Sequence, residues 1–216
     1  MNNQIKNIVL LLLLSTLTVE LNAQGDGKFS VKSVTASIGW YKPSMDYWND
    51  EYLSILGIDK KFEGNLSIGS QIEFSLPAKF RCRIGGSYWS DNVKPADENP
   101  FKELKISFTR FSLAGIYAFD NANLPIIPYL GFQGTFFMIK NSLEDNTGTS
   151  TEQGQDYSWA PLVGVEKTLI NHLIIGIEFK YHLGRYVQDA LSFIGLVDKT
   201  VHISGSEINF KIGYKF

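Results

Sequence analysis

Nine ionisable side chains recur among strongly apolar residues: Glu73, Arg81, Arg83, Glu166, Glu178, Lys180, His182, Arg185 and Lys211. Both signs are present, so two chemistries are open to the set. Kept apart in a wet bore, these groups would line a narrow ion path. Brought together, they would neutralise one another as buried ion pairs, each costly to break. Neither pattern is that of an active site. His182 lies between Lys180 and Arg185, a setting better suited to a polar filling than to a base or a ligand. His172 falls in a turn. Three scattered histidines and the single Cys82 give no metal-ligand spacing, and no Gly-rich phosphate loop or His-Glu-x-x-His pattern is present. No cofactor and no metal are expected.

The elements that carry these groups are strands. In the closing stretch Ile208, Phe210, Ile212, Tyr214 and Phe216 alternate with Asn209, Lys211, Gly213 and Lys215. Period 2 gives a strand one greasy and one wet face. The same alternation predicts strands over 28–42, 65–76, 80–89, 103–119, 126–141, 157–169 and 173–186. In the fourth, the apolar positions change from even (Ile106, Phe108) to odd (Phe111, Leu113, Tyr117), and a one-residue bulge near Thr109-Arg110 would restore the register. The connections run long, short, long, short, long, short, long. The long ones are 44–64, 90–102, 142–156 and 187–204. In the first, Met45, Trp48, Tyr52 and Ile55 have helical spacing, with Ser44 as cap and Gly57 as stop. The third is acidic, rich in Gly, Thr, Asn and Gln, and reads as disordered.

The start of the chain reads as an export signal. Lys6 supplies positive charge, residues 8–19 are almost unbroken apolar sequence, and Leu21-Asn22-Ala23 offers a small residue for cleavage after Ala23. Domains are therefore expected as 1–23, a signal peptide, and 24–216, one folded unit. Asn22-Ala23-Gln24 resembles the leader ends of exported Bacteroidetes proteins. A formal net charge of −2 argues against a nucleic-acid partner, and one cysteine fits an oxidising compartment without a disulfide.

Eight antiparallel strands with all long loops at one end predict an all-β, up-and-down transmembrane barrel with short periplasmic turns and long extracellular loops. Either face of such a sheet can point inward. The wet face carries the glycines and small residues that a narrow bore requires. Aromatic residues gather near strand ends, at Trp40, Tyr88, Tyr129, Tyr157, Trp159, Tyr181, Tyr214 and Phe216, where interfacial girdles would lie. The Leu/Ile/Phe rows should therefore meet lipid. An eight-stranded bore is just filled by its own side chains, so the charged set is expected to plug it.

On its strand–loop alternation, its leader and the stretch Ile208–Phe216, the chain resembles the small outer-membrane barrels of the OmpA-, OmpX- and OmpW-type families. The resemblance implies a location in the cell outer membrane, with lipid and lipopolysaccharide around a monomeric barrel. It also implies an assembly signal in Tyr214 and Phe216, read by the barrel-assembly machinery. The role it implies is non-catalytic: structural, surface-interacting or small-solute, porin-like in fold. Two alternatives come with it. Tyr47, Trp48, Tyr52, Phe193, Ile194 and Leu196, in the first and fourth long loops, could bind a small hydrophobic ligand, as in OmpW-type carriers. His202-Ile203-Ser204, with Glu207 nearby, resembles the His-x-Ser pair of barrel lipid A deacylases. The usual Asn after the Ser is absent, since Gly205 stands there, and a polar strand entrance is the favoured reading.

Overall fold

The structure is a computed structural model of the 216-residue chain, and it describes residues 30–95, 101–120, 125–169, 172–188 and 199–216. The expected leader and Phe193, Ile194 and Leu196 lie outside the described residues. Among the described residues nine strands form: β1 (Ser30–Pro43), β2 (Asn65–Ser75), β3 (Phe80–Val93), β4 (Phe101–Ala118), β5 (Ile127–Asp145), β6 (Thr149–Leu169), β7 (Leu173–Gln188), β8 (Lys199–His202) and β9 (Gly205–Lys215). Every pairing is antiparallel. Each strand from β1 to β7 pairs with the next, β9 joins β1 to β7, and the β6–β7 pairing closes the ring. Eight strands make the barrel. The short β8 lies outside the ring's count, pairing only with the outer end of β7.

Closure leaves each side chain inside or outside. Large apolar side chains cover the outside of every barrel strand, among them Ile38, Ile68, Ile84, Leu113, Phe132, Val163, Ile177 and Phe210, each about half exposed. A water-soluble monomer rarely exposes a contiguous apolar patch of more than a few hundred Å². A continuous apolar band is the surface that hydrocarbon requires. Trp40, Tyr88, Tyr157, Trp159, Tyr181, Tyr214 and Phe216 belong to this outer surface. Tyr129 does not: it is buried inside, on the same parity as Gln133 and Thr135.

Two further expectations are corrected. β4 has no bulge near Thr109-Arg110; its pairing with β3 and β5 is continuous from Leu104 to Tyr117. Leu104, Ile106, Phe108, Arg110, Ala114, Ile116 and Ala118 all point inward. The alternation never slips. What changes is the chemistry of each side, because beyond the membrane band the outer face turns polar (Lys105, Ser107, Thr109) and the inner face turns apolar. Nor is 142–156 a loop. β5 and β6 continue as one hairpin, with Ser142 opposite Thr151 and Glu144 opposite Thr149. Its turn is tied by Asp145 Oδ1, which accepts from Thr147 N, Thr147 Oγ1 and Gly148 N at 2.7, 2.6 and 2.9 Å. These bonds hold the Asp145 carboxyl below its ordinary range. Ladder bonds come from the backbone, so a polar composition does not forbid them.

Replacing Leu113 with Arg at the middle of the outer band should destabilise the barrel by about 2–4 kcal/mol, against about 0–1 for Ser107→Arg near the rim. Denaturant unfolding in phospholipid vesicles, followed by tryptophan emission, checks both values.

Candidate functional site

Inside the bore, carboxylates and cations from distant strands meet. Glu73 accepts from Arg83 Nη2 at 2.8 Å, Arg81 Nη1 at 3.1 Å and lies 3.3 Å from Lys32 Nζ. Glu166 takes Arg81 at 2.6 Å and Lys32 at 2.9 Å. Glu178 takes Arg83 at 2.5 Å, Lys211 at 3.1 Å and Lys180 at 3.2 Å, and the Tyr129 hydroxyl donates to it at 2.9 Å. Lys211 Nζ also donates to the Tyr129 oxygen and stands 4.5 Å from that ring's centre. Nearer the outer end, Glu207 accepts from Arg110 at 2.8 Å and pairs with His182 Nε2 at 2.8 Å. These groups stand on all eight barrel strands, β1 to β7 and β9, and their bonds tie together strands that never pair.

Of the nine side chains singled out in the sequence, Glu73, Arg81, Arg83, Glu166, Glu178, His182 and Lys211 are buried in the bore, and the Lys180 side chain is almost so. Arg185 is the exception. It has the outward parity of Leu183 and Val187 and is exposed, while Tyr186 takes the inward place. Lys32, Arg110, Glu207 and Tyr129 were missed. Parity alone signals Glu207, which shares its face with Asn209 and Lys211. The supposed bulge hid Arg110, and Lys32 sits at a register shift, between Val31 and Ser33.

Above the charged zone the mouth is filled by an apolar core that includes Tyr41, Trp48, Tyr52, Trp89, Phe108 and Phe137. The first long loop supplies much of it. Residues Tyr47–Tyr52 form a π-helical turn that continues as a single α-helical turn, Leu53–Ile55. Ser44 does not cap it; its hydroxyl donates to His202 O at 2.8 Å. Asn49 braces the loop from within, accepting from Phe62 N at 2.8 Å and donating to Phe62 O at 3.1 Å. Gly57, at φ 67°, turns the chain away as expected. Met45, Trp48, Tyr52 and Leu53 face the core, whereas Ile55 is exposed because the wider π turn shifts the buried stripe. Trp48 Nε1 donates to the Tyr186 hydroxyl at 2.7 Å, and burial pushes the Tyr52 phenol well above its ordinary pKa.

No protein-family model matches the chain, and no curated protein matches it. Solved structures do. The outer membrane protein OprG of Pseudomonas aeruginosa superposes with a TM-score of 0.60 at 13% identity, over 88% of this chain and 98% of that one. Ail, the attachment invasion locus protein of Yersinia pestis, gives 0.54 at 10% identity over 86% and 98%. Neisserial surface protein A gives 0.53 at 14% identity over 87% and 97%. The fold is that of the small outer-membrane β-barrels. At these identities the likeness is one of architecture, and it extends over nearly the whole of both chains.

In this barrel, His202, Ser204 and Glu207 do not converge. His202 is exposed on β8. The Ser204 hydroxyl accepts from Gly184 N at 3.2 Å and donates to Gly184 O at 3.3 Å. The Glu207 carboxylate is engaged by Arg110 and His182. A hydrolytic triad needs base, nucleophile and orienter in mutual reach, and here the histidine faces outward while the serine and the carboxylate are engaged elsewhere. Tyr47, Trp48 and Tyr52 are buried in the mouth core, and the cleft that Trp48 and Tyr52 border there has a volume of only about 10 Å³.

Arg83→Met would leave Glu73 and Glu178 each short of a bidentate-capable partner, with an expected loss of about 3–5 kcal/mol. Arg185→Met should be silent. A Cβ on Gly164 would run into the Tyr129 hydroxyl and ring and into Ile177 O, so Gly164→Ala should cost about 1–3 kcal/mol through the displaced ring. Folded fraction against urea, read from heat-modifiable gel mobility, tests all three variants.

Proposed function

We propose that the chain is an integral outer-membrane barrel that acts through its outer end, as a surface-interaction or structural protein, without catalysis and without conduction through the bore. The carrying observation is the filling of that bore: a dense charge network below, and an aromatic core sealed by the first loop above. An eight-stranded barrel has little more interior than its own side chains fill, and here nearly all of it is occupied by paired and packed side chains, leaving a cavity of about 20 Å³ among the described residues. Ail, named for attachment and invasion and solved with the heparin analogue sucrose octasulfate, supports a surface role as one that this architecture can serve.

Outer-membrane placement follows from the apolar band and the likeness in fold. Export by the 1–23 leader, lipopolysaccharide as neighbour and Tyr214 and Phe216 as assembly signal belong to the same proposal. A carrier of small hydrophobic molecules draws less support, because Trp48 and Tyr52 are already packed and Trp48 is already bonded to Tyr186.

Planar-bilayer recording of the purified, refolded protein should show no large, stable unitary conductance. Reproducible open steps from pure protein would overturn the closed-bore reading. Shortening the β5–β6 hairpin at residues 142–151 should leave folding intact and abolish cell attachment to surfaces. Retained attachment would point to another part of the outer end.

A further inference from the structure

Among the described residues, six cationic side chains enter the bore: Lys32, Arg81, Arg83, Arg110, Lys180 and Lys211. Four carboxylates oppose them, Glu73, Glu166, Glu178 and Glu207. Each carboxylate already holds at least two basic partners. Six positive against four negative leaves a surplus of two positive charges in a narrow, low-dielectric space, where an unbalanced charge is costly.

Two of these cations have capacity left. Lys180 makes one ion pair, 3.2 Å from Glu178 Oε1, although an ammonium has three donors. Arg110 has a buried Nε without a hydrogen-bond partner. Both border one cavity of about 20 Å³ in the bore, whose walls also include Ser37, Gln71, Ser112 and Glu207. Such a volume accommodates one guest near the size of a water molecule. The wall is polar and rich in hydroxyl and amide donors, and the Glu207 oxygens that approach it are already taken by Arg110 and His182.

We infer that this cavity is a binding site for one small monovalent anion, a halide, held between Lys180 and Arg110 with serine hydroxyls completing its shell. Positive charge on two sides disfavours a metal cation, and the volume is too small for sulfate or phosphate. Water would fill the space but leave the surplus charge unopposed. The site goes beyond the surface role and does not depend on it: the anion is resident and neutralising, enclosed by the same groups that fill the bore.

Bromide is the probe. Crystals of the folded barrel soaked in sodium bromide should give an anomalous peak between Lys180 and Arg110. In solution, folded protein should broaden the chloride-35 resonance, and added bromide should reverse the broadening. Lys180→Gln should lose both signals, and Lys180→Arg should restore them. Ser112→Val, which fills the cavity and keeps every charge, should also lose them, so the inference stands or falls even where Lys180→Gln does not fold. Water alone at the site in the bromide crystals, or chloride broadening unchanged in Ser112→Val, would overturn it.

Discussion

A strand in hydrocarbon has no water to satisfy its N–H and C=O groups, and each group left unpaired costs several kcal/mol. That constraint sets the architecture. The sheet must close, and it does so where β9 bridges β1 and β7 and where β6 meets β7. Closure removes free edges within the membrane band and fixes a strict parity. Each residue then faces either lipid or bore, and all of the chemistry described above is sorted by that single choice.

The sorting reverses along the length of the strands. At membrane depth the outside is Leu, Ile and Phe, and the inside is ion pairs. Toward the outer end the outside becomes polar and the inside becomes a conventional apolar core. β4 shows both halves in one run, with Phe108 in the mouth core and Arg110, one step of the inner row below it, paired with Glu207. The charged half is a poor source of net stability, since desolvating each ion offsets most of its attraction. Its physical consequence is specificity of register. Sliding one strand by one residue would turn Glu73, Arg83 or Glu178 into lipid and leave their partners unpaired in the bore. The apolar half, in which Trp48, Trp89 and Phe108 are fully buried, contributes the larger transfer free energy, about 1.5–3 kcal/mol for each large side chain.

Much of this was legible in the residues alone. Period-2 alternation located all eight barrel strands, and the rhythm of long and short connections gave their topology. Most of the inner charged set could be named because Arg81 and Arg83, or Glu178 and Lys180, share parity within a strand. The failures of register have one cause. A hydrophobicity pattern records contrast between faces, not which face is inside, and the contrast inverts where the strand leaves the membrane. Ile106 and Phe108 therefore looked out of register, and Arg110 was lost with them. Arg185 was misassigned by one position at the same boundary in β7. Tyr129 looked like an interfacial ring, because sequence does not show that Gly164 leaves room for it beside Glu178. The 142–156 segment was misread on composition, although cross-strand backbone bonding is indifferent to Thr, Gln and Gly side chains.

β5 and β6 have 19 and 21 residues, whereas β2 and β9 have 11 each. At about 3.3 Å per residue, the difference is roughly 26–33 Å of additional strand before tilt is considered. Among the described strands the rim is therefore oblique, a stave wall raised on one flank and low on the other. Anything bulky approaching that end would first touch that flank, off the central axis, and would engage the barrel sideways rather than from directly above.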